Sequence, residues 1–218
     1  MTSYDTKRLR CYCCGKTSEQ TILMSTNSFG SPDLDQRSAG MERSTIDTWL
    51  QECPFCGYVA FDLEKGDERA MTFVETAEFR AASTDPSPDP VERRFLARAA
   101  FDVHCGDRRA AFLSTLSAAW VADDRKALSE ATALRLKAAA HLAGHRIRSM
   151  DTRLLLLDVL RRASSWEAAD ALTTELIAEE LEHPFAEIVS FHRERIEAKD
   201  NGRYTIAEAL AGKSKAAG

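Results

Sequence analysis

Little in this sequence points to a membrane or to a polyanion. No window approaches the roughly 20 consecutive apolar residues that a bilayer-spanning helix requires. The longest aliphatic run, Leu154–Leu157, is closed by Asp158 and flanked by Arg153 and Arg161. No hydrophobic segment follows the basic residues Lys7, Arg8 and Arg10 near the N-terminus, so no secretory signal is expected. Neither sign of charge dominates: 29 Lys and Arg stand against 34 Asp and Glu, a formal net charge of -5. Such a balance gives no bulk attraction to phosphate backbones, and a nucleic-acid role would need a local basic patch. Also missing are a nucleophile–base pairing, a glycine-rich phosphate loop and an open metal site. With 44% hydrophobic and 29% charged residues, the chain reads as a soluble globular protein.

Proline is scarce, yet three of the six prolines crowd into one stretch, Ala82–Glu92, at Pro86, Pro88 and Pro90. Proline fixes its own φ and pushes the preceding residue out of the helical region. The stretch is therefore expected to be an extended, non-helical linker. It divides the chain into a Cys-rich part (1–81), the linker (82–92) and a part rich in Ala, Leu and Arg (93–218). In the first part Gln20–Ser25 and Tyr58–Asp62 are β-prone, and Asn27–Ser38 is full of turn formers.

The last part is helical. Phe95, Ala99 and Val103 recur at i, i+4 and i+8, as do Phe112, Leu116 and (one position short) Ala119, which stacks each set on one helical face. Further helices are expected at Arg153–Ala163, Trp166–Leu181 and Phe185–Lys199, with a last one running through Leu210. Small polar turns separate them at Gly106-Asp107, Ser164-Ser165 and Asp200-Asn201-Gly202. An alanine stands five residues after Gly106, Ser164 and Gly202: Ala111, Ala169 and Ala207. In tetratricopeptide-type hairpins a small residue there lets two helices approach closely. The turn spacing is uneven and departs from the regular repeat of about 34 residues, so any array is degenerate. The fold class read from this pattern is α+β: a small zinc-ribbon-like β domain followed by helical hairpins.

Six cysteines without a secretory signal indicate a reducing, cytoplasmic setting, where thiols bind metal or stay free. Cys11, Cys14 and Gly15, and again Cys53, Cys56 and Gly57, form two C-x-x-C-G units. Two thiolates at this spacing reach one ion from a tight turn. The following glycine supplies the left-handed backbone that leaves amide N–H groups facing sulfur. Four thiolates make a closed tetrahedral zinc site, so Cys11, Cys14, Cys53 and Cys56 are expected to hold one structural Zn2+ ion. The intervening chain is longer than the about 15–20 residues of a short zinc ribbon. It carries Asp33, Asp35 and Arg37, a candidate ligand or partner loop whose simpler reading is a self-satisfied turn.

Cys13 is expected to be a free thiol beside the site. His104 and Cys105 read as capping and packing groups, and His141 and His145 as a helical i, i+4 pair facing solvent. Trp49, Trp120 and Trp166 read as core.

These residues resemble a family of uncharacterised bacterial proteins with paired C-x-x-C units. The likeness is carried by Ser25–Arg37, Arg43–Thr45 and Gln51–Tyr58, and in the second half by Ala118–Asp124 and Leu156–Ala169. It implies cysteine zinc ligands and a tetratricopeptide-like tail, and it implies no reaction. Tyr12-Cys13 departs from the proline common after the first cysteine of such knuckles.

The functional expectation is a non-enzymatic interaction or adaptor module that presents a helical groove to a protein partner. Two other readings stand beside it. One is nucleic-acid binding through Lys7, Arg8, Arg10 and Lys16, against which the net acidity speaks. The other is an enzyme with a site formed by Asp33, Asp35 and Arg37, with His104 as a further candidate.

Overall fold

A computed structural model of the chain describes residues 1–83 and 89–211. Within them the protein is a mixed α+β structure of two small antiparallel two-stranded sheets and a succession of helices. β1 (Ser3–Arg10) and β2 (Thr17–Ser25) form the first hairpin, with Arg10 opposite Thr17. β3 (Gln51–Glu52) and β4 (Val59–Ala60) form the second. Each hairpin closes on one C-x-x-C-G unit. β2 and the region of β4 lie where the sequence predicts strands, whereas β1 carries no such signal, because Ser3–Arg10 is exposed on nearly every residue and shows no apolar alternation.

Between the hairpins lie α1 (Gly40–Arg43) and a 3-10 turn at Ile46–Thr48. After the second come α2 (Glu68–Phe73), capped by the Asp67 side chain on the Ala70 N–H, and α3 (Ala77–Ser83). The helical part consists of α4 (Pro90–His104), α5 (Arg108–Asp124), α6 (Leu128–Leu142), α7 (Met150–Arg162), α8 (Trp166–Ile177), α9 (Phe185–Glu197) and α10 (Ile206–Ala211).

The expected non-helical stretch is shorter than 82–92. Ala82 and Ser83 close α3, and Pro90, Val91 and Glu92 already belong to α4. Pro90 fits because a helix's first residue has no intrahelical use for an N–H, while Asp89 caps the N–H groups of Val91 and Glu92 at 2.8 and 3.2 Å. Pro86 and Pro88 lie outside the described residues.

Four helix ends are built alike. At Gly106, Lys126, Ser164 and Lys199 the backbone turns to φ values of 75, 61, 57 and 50°. In each the next N–H returns to a carbonyl five residues back: Asp107 to Asp102, Ala127 to Ala122, Ser165 to Leu160 and Asp200 to Arg195. This is the Schellman cap, which satisfies carbonyls a helix end would otherwise orphan. The sequence reading located the first and third. The turn at Lys126 and the helix after it were passed over, and the last was placed at Asp200–Gly202, because lysine at the left-handed position carries no compositional signal.

The alanines follow the true turns. Ala111, Ala131 and Ala169 each stand five residues after the left-handed residue and are fully or almost fully buried. Ala207 is exposed, and its neighbour Ala209 is the buried one. Val103, expected on the buried stripe with Phe95 and Ala99, is 51% exposed.

Three apolar cores form, and each draws on both halves of the chain. Ile46, Leu50 and Val59 pack among α4, α5, α6 and α7. Leu34 inserts among α7, α8, α9 and α10. Cys11, Cys53, Tyr58, Phe73 and Phe79 pack with Phe101 of α4. No described helix is long and apolar enough to cross a membrane.

Candidate metal centre and polar clasp

The two knuckles are near copies in backbone. The Cys11 N–H donates to the Lys16 carbonyl at 2.9 Å and the Gly15 N–H to the Cys11 carbonyl at 2.9 Å. The Cys53 N–H donates to the Tyr58 carbonyl at 2.9 Å and the Gly57 N–H to the Cys53 carbonyl at 2.8 Å. Gly15 and Gly57 sit at φ 69 and 74°, the left-handed conformation that glycine adopts without a Cβ penalty.

These turns aim four sulfurs at one point. The Sγ atoms of Cys11, Cys14, Cys53 and Cys56 all lie within 4.8 Å of one another. Cys11 and Cys56 are separated by 3.7 Å, and Cys14 and Cys53 by 3.6 Å. A disulfide would need about 2.05 Å, and all six cysteines are free. A tetrahedron of thiolates bonded at about 2.3 Å has edges of about 3.8 Å, so the donor set fits a metal ion. Cys11 and Cys53 are buried, Cys56 is half-buried and Cys14 is exposed. Burial pushes the Cys11 and Cys56 thiols up.

Cys13 stands beside this set. Burial, followed by the neighbouring sulfurs of Cys11, Cys14 and Cys53, pushes its thiol up to about 12. Cys105 is the C-cap of α4, and the His104 ring lies 5.1 Å from that of Phe73. His141 ends α6 beside the Thr115 hydroxyl, 3.1 Å from its Nε2. His145 lies beyond that helix with Nδ1 at 2.8 Å from the Ala143 carbonyl, so the two histidines are not a helical pair.

The loop between the knuckles is buried: Asp33, Asp35 and Arg37 are 2, 0 and 3% exposed. It is a tight turn in which the Asp33 N–H donates to the Arg37 carbonyl at 3.0 Å, with Gln36 at φ 61°. Asp35 accepts from Trp120 Nε1 and from Arg162 Nη1, both at 2.8 Å. It also accepts from the Arg37 N–H at 3.3 Å, and Arg135 stands 3.9 Å away.

Arg37 donates to the Trp120 carbonyl at 3.2 Å and forks onto both oxygens of Asp124. Asp33 pairs with Arg43 at 2.5 Å, although burial still raises its carboxyl above the usual range. Asp123 joins the set by accepting from Arg135 and Arg162. Burial works against its charge, but the two guanidinium groups hold it below the ordinary carboxylate value.

The same loop reaches the last helical pair. The Leu34 N–H donates to the Tyr204 carbonyl and the Ile206 N–H to the Pro32 carbonyl, both at 2.9 Å, around a bridge between Asp33 and Thr205. One side of the loop thus grips α5, α6 and α7, and the other the turn before α10. Trp120, read as core, is buried and is also a donor to the clasp. Trp49 packs edge-on against it at 6.4 Å and donates to the Thr45 hydroxyl at 2.9 Å.

Arg43, Asp123, Arg135 and Arg162 were not singled out from sequence. A signal existed for Arg135: it shares the buried face of α6 with Ala131, Leu134 and Ala138, and a charge within an apolar stripe needs a partner.

No family model, no curated protein and no solved structure matches this chain.

Proposed function

We propose that this protein is a zinc-stabilised, non-enzymatic interaction module, in which a zinc-ribbon-like part is locked onto tetratricopeptide-like helical hairpins that meet a protein partner. One observation carries the reading: the loop richest in reactive side chains is spent on holding the molecule together. Asp33, Asp35 and Arg37 are buried against specific partners, and among the described residues five prominent clefts are lined by other side chains. Chemistry needs charged groups that face a substrate, and these face the protein.

Zinc is the ion favoured by four cysteine thiolates in a tetrahedron, and a closed shell keeps no position for substrate. Four like Schellman caps and the buried alanines after three of them support the hairpin array. The stretches that carry the family resemblance supply the second knuckle, Asp35, Arg43, Trp120, Asp123 and Arg162. The test is affinity capture with the full-length, metal-loaded chain in cells of the source organism. Recovery of a specific protein partner is expected, and repeated recovery of none refutes the reading.

A nucleic-acid reading has one observation in its favour. Lys7, Arg8, Arg10 and Lys16 are all exposed on the first hairpin, with the Lys16 ammonium 5.0 Å from the centre of the exposed Phe55 ring. Its test is retention of labelled RNA or DNA at low salt, lost on Lys7→Glu/Arg8→Glu/Arg10→Glu.

A further inference from the structure

The connection between α6 and α7 carries charge that the fold does not use. Arg146 and Arg148 are exposed, and neither has a hydrogen-bond or ion-pair partner among the described residues. Both stand just before Ser149, whose hydroxyl caps α7. A helix N-terminus is the positive end of the dipole, so cations there oppose the helix rather than support it. Their position is not explained by local stability.

They line a cleft of about 830 Å³ between this connection and the α7–α8 pair, within the size range of ligand-binding clefts. Half-buried Leu156 and Leu172, with Leu142 and Ile147, supply its apolar surface. On the far wall Arg153 binds both oxygens of Glu179 at 2.7 Å, which neutralises that carboxylate. Glu175 is the remaining acid of the lining, which also holds Arg146 and Arg148.

We propose that this cleft is the docking surface of the interaction module, and that its occupant is an acidic peptide segment bearing one apolar anchor residue. The inference rests on the interaction reading and names its surface and partner chemistry. The carboxylates of the segment meet Arg146 and Arg148, and the anchor enters between Leu156 and Leu172. Guanidinium groups recognise carboxylates with paired N–H donors, and on a protein of net charge -5 attraction of an acidic chain must come from a local cationic patch such as this one. A single-stranded nucleic acid fits less well, because base binding favours large aromatic platforms and the lining holds no Phe, Tyr or Trp, His145 being its one ring.

The test selects a random peptide-display library on the full-length, metal-loaded chain. The affinities of the enriched peptides, fluorescein-labelled, are then measured on wild type, on Arg146→Glu/Arg148→Glu and on Lys7→Glu/Arg8→Glu. Acidic sequences with an apolar residue are expected to be enriched. Their affinity falls at least about tenfold on the first variant and on raising salt, and is unchanged on the second. Hydrogen exchange slows across residues 142–156 when they bind.

Enrichment of non-acidic peptides, equal affinity for the Arg146→Glu/Arg148→Glu variant, or retention of a labelled single-stranded RNA that needs Arg146 and Arg148 overturns the proposal. If peptides or a cellular partner bind through another surface, this cleft is wrong and the interaction reading stands. If nothing binds at all, both fall.

Discussion

Replacing Asp35 by alanine tests the clasp most directly. The carboxylate is fully buried and accepts from Trp120, from Arg162 and from the backbone of Arg37, with Arg135 3.9 Å away. Removing it leaves an indole N–H, the buried Arg135 and the half-buried Arg162 guanidinium groups facing a void. Breaking a buried ion pair by deleting one partner costs about 3–5 kcal/mol. Arg135 and Arg162 keep Asp123 as a partner, which places the expected loss at the low end, about 3 kcal/mol. Against a typical total stability of about 5–15 kcal/mol, that is a large fraction.

The assay is urea unfolding of the metal-loaded chain, followed by circular dichroism and tryptophan fluorescence, with coincident transitions as the check on two-state behaviour. The double variant Asp35→Ala/Arg162→Met removes the stranded cation together with its partner. It should recover part of the loss, giving a coupling of at least about 1 kcal/mol. A loss below about 1 kcal/mol for Asp35→Ala, or strict additivity in the cycle, would refute the clasp as a major contributor to stability.

Metal analysis of purified protein should give one zinc per chain. Cys53→Ser or a strong chelator should unfold the knuckles, since structural zinc sites contribute about 10–16 kcal/mol, and an unchanged melting curve on chelation would contradict this. His192 is fully buried with neither ring nitrogen hydrogen-bonded, 4.0 Å from Asp158, and burial followed by the Arg161 charge lowers it to about 3. The unfolded chain binds a proton there near pH 6.5 and the folded chain does not, so stability is lost as pH falls from about 6.5 toward 3, by about 1 kcal/mol over the first unit and approaching about 1.4 kcal/mol per unit below it. That slope, measured between pH 6.5 and 5.5, should shrink in His192→Asn, and an identical slope in the variant would remove His192 from the account. Ala169→Leu overpacks a fully buried helix contact and should cost about 1–3 kcal/mol, whereas Ala207→Leu on the exposed side of α10 should stay within about 0.5 kcal/mol; equal effects would undo the assignment of buried alanines to the left-handed turns.

Chemistry that depends on neighbours along the chain was legible in the sequence. C-x-x-C-G specifies its own knuckle, because the spacing of two thiolates and the left-handed glycine are local properties. Two knuckles then imply one ion, since zinc prefers four ligands. Apolar periodicity exposed the buried faces of α4 and α5, although Val103 shows that a periodic position at a helix end need not be covered. The turn at Lys126 escaped because a lysine in the left-handed region looks like any surface lysine. Pro90 misled because proline excludes a helix interior but suits its first turn.

What only the tertiary structure decided is the use of Asp33, Asp35 and Arg37. Asp35 meets Trp120 and Arg162 at separations of 85 and 127 residues, and Arg37 meets Asp124 at 87. No local pattern encodes a choice among 29 cationic side chains; the packing of α5, α6 and α7 around the loop makes it. Low dielectric and exclusion of water then turn those pairs into a clasp, where on an exposed loop the same residues would be worth little. The sequence determined two knuckles whose four thiols can share one metal ion; the fold decided that the chain between them joins the knuckles to the helices.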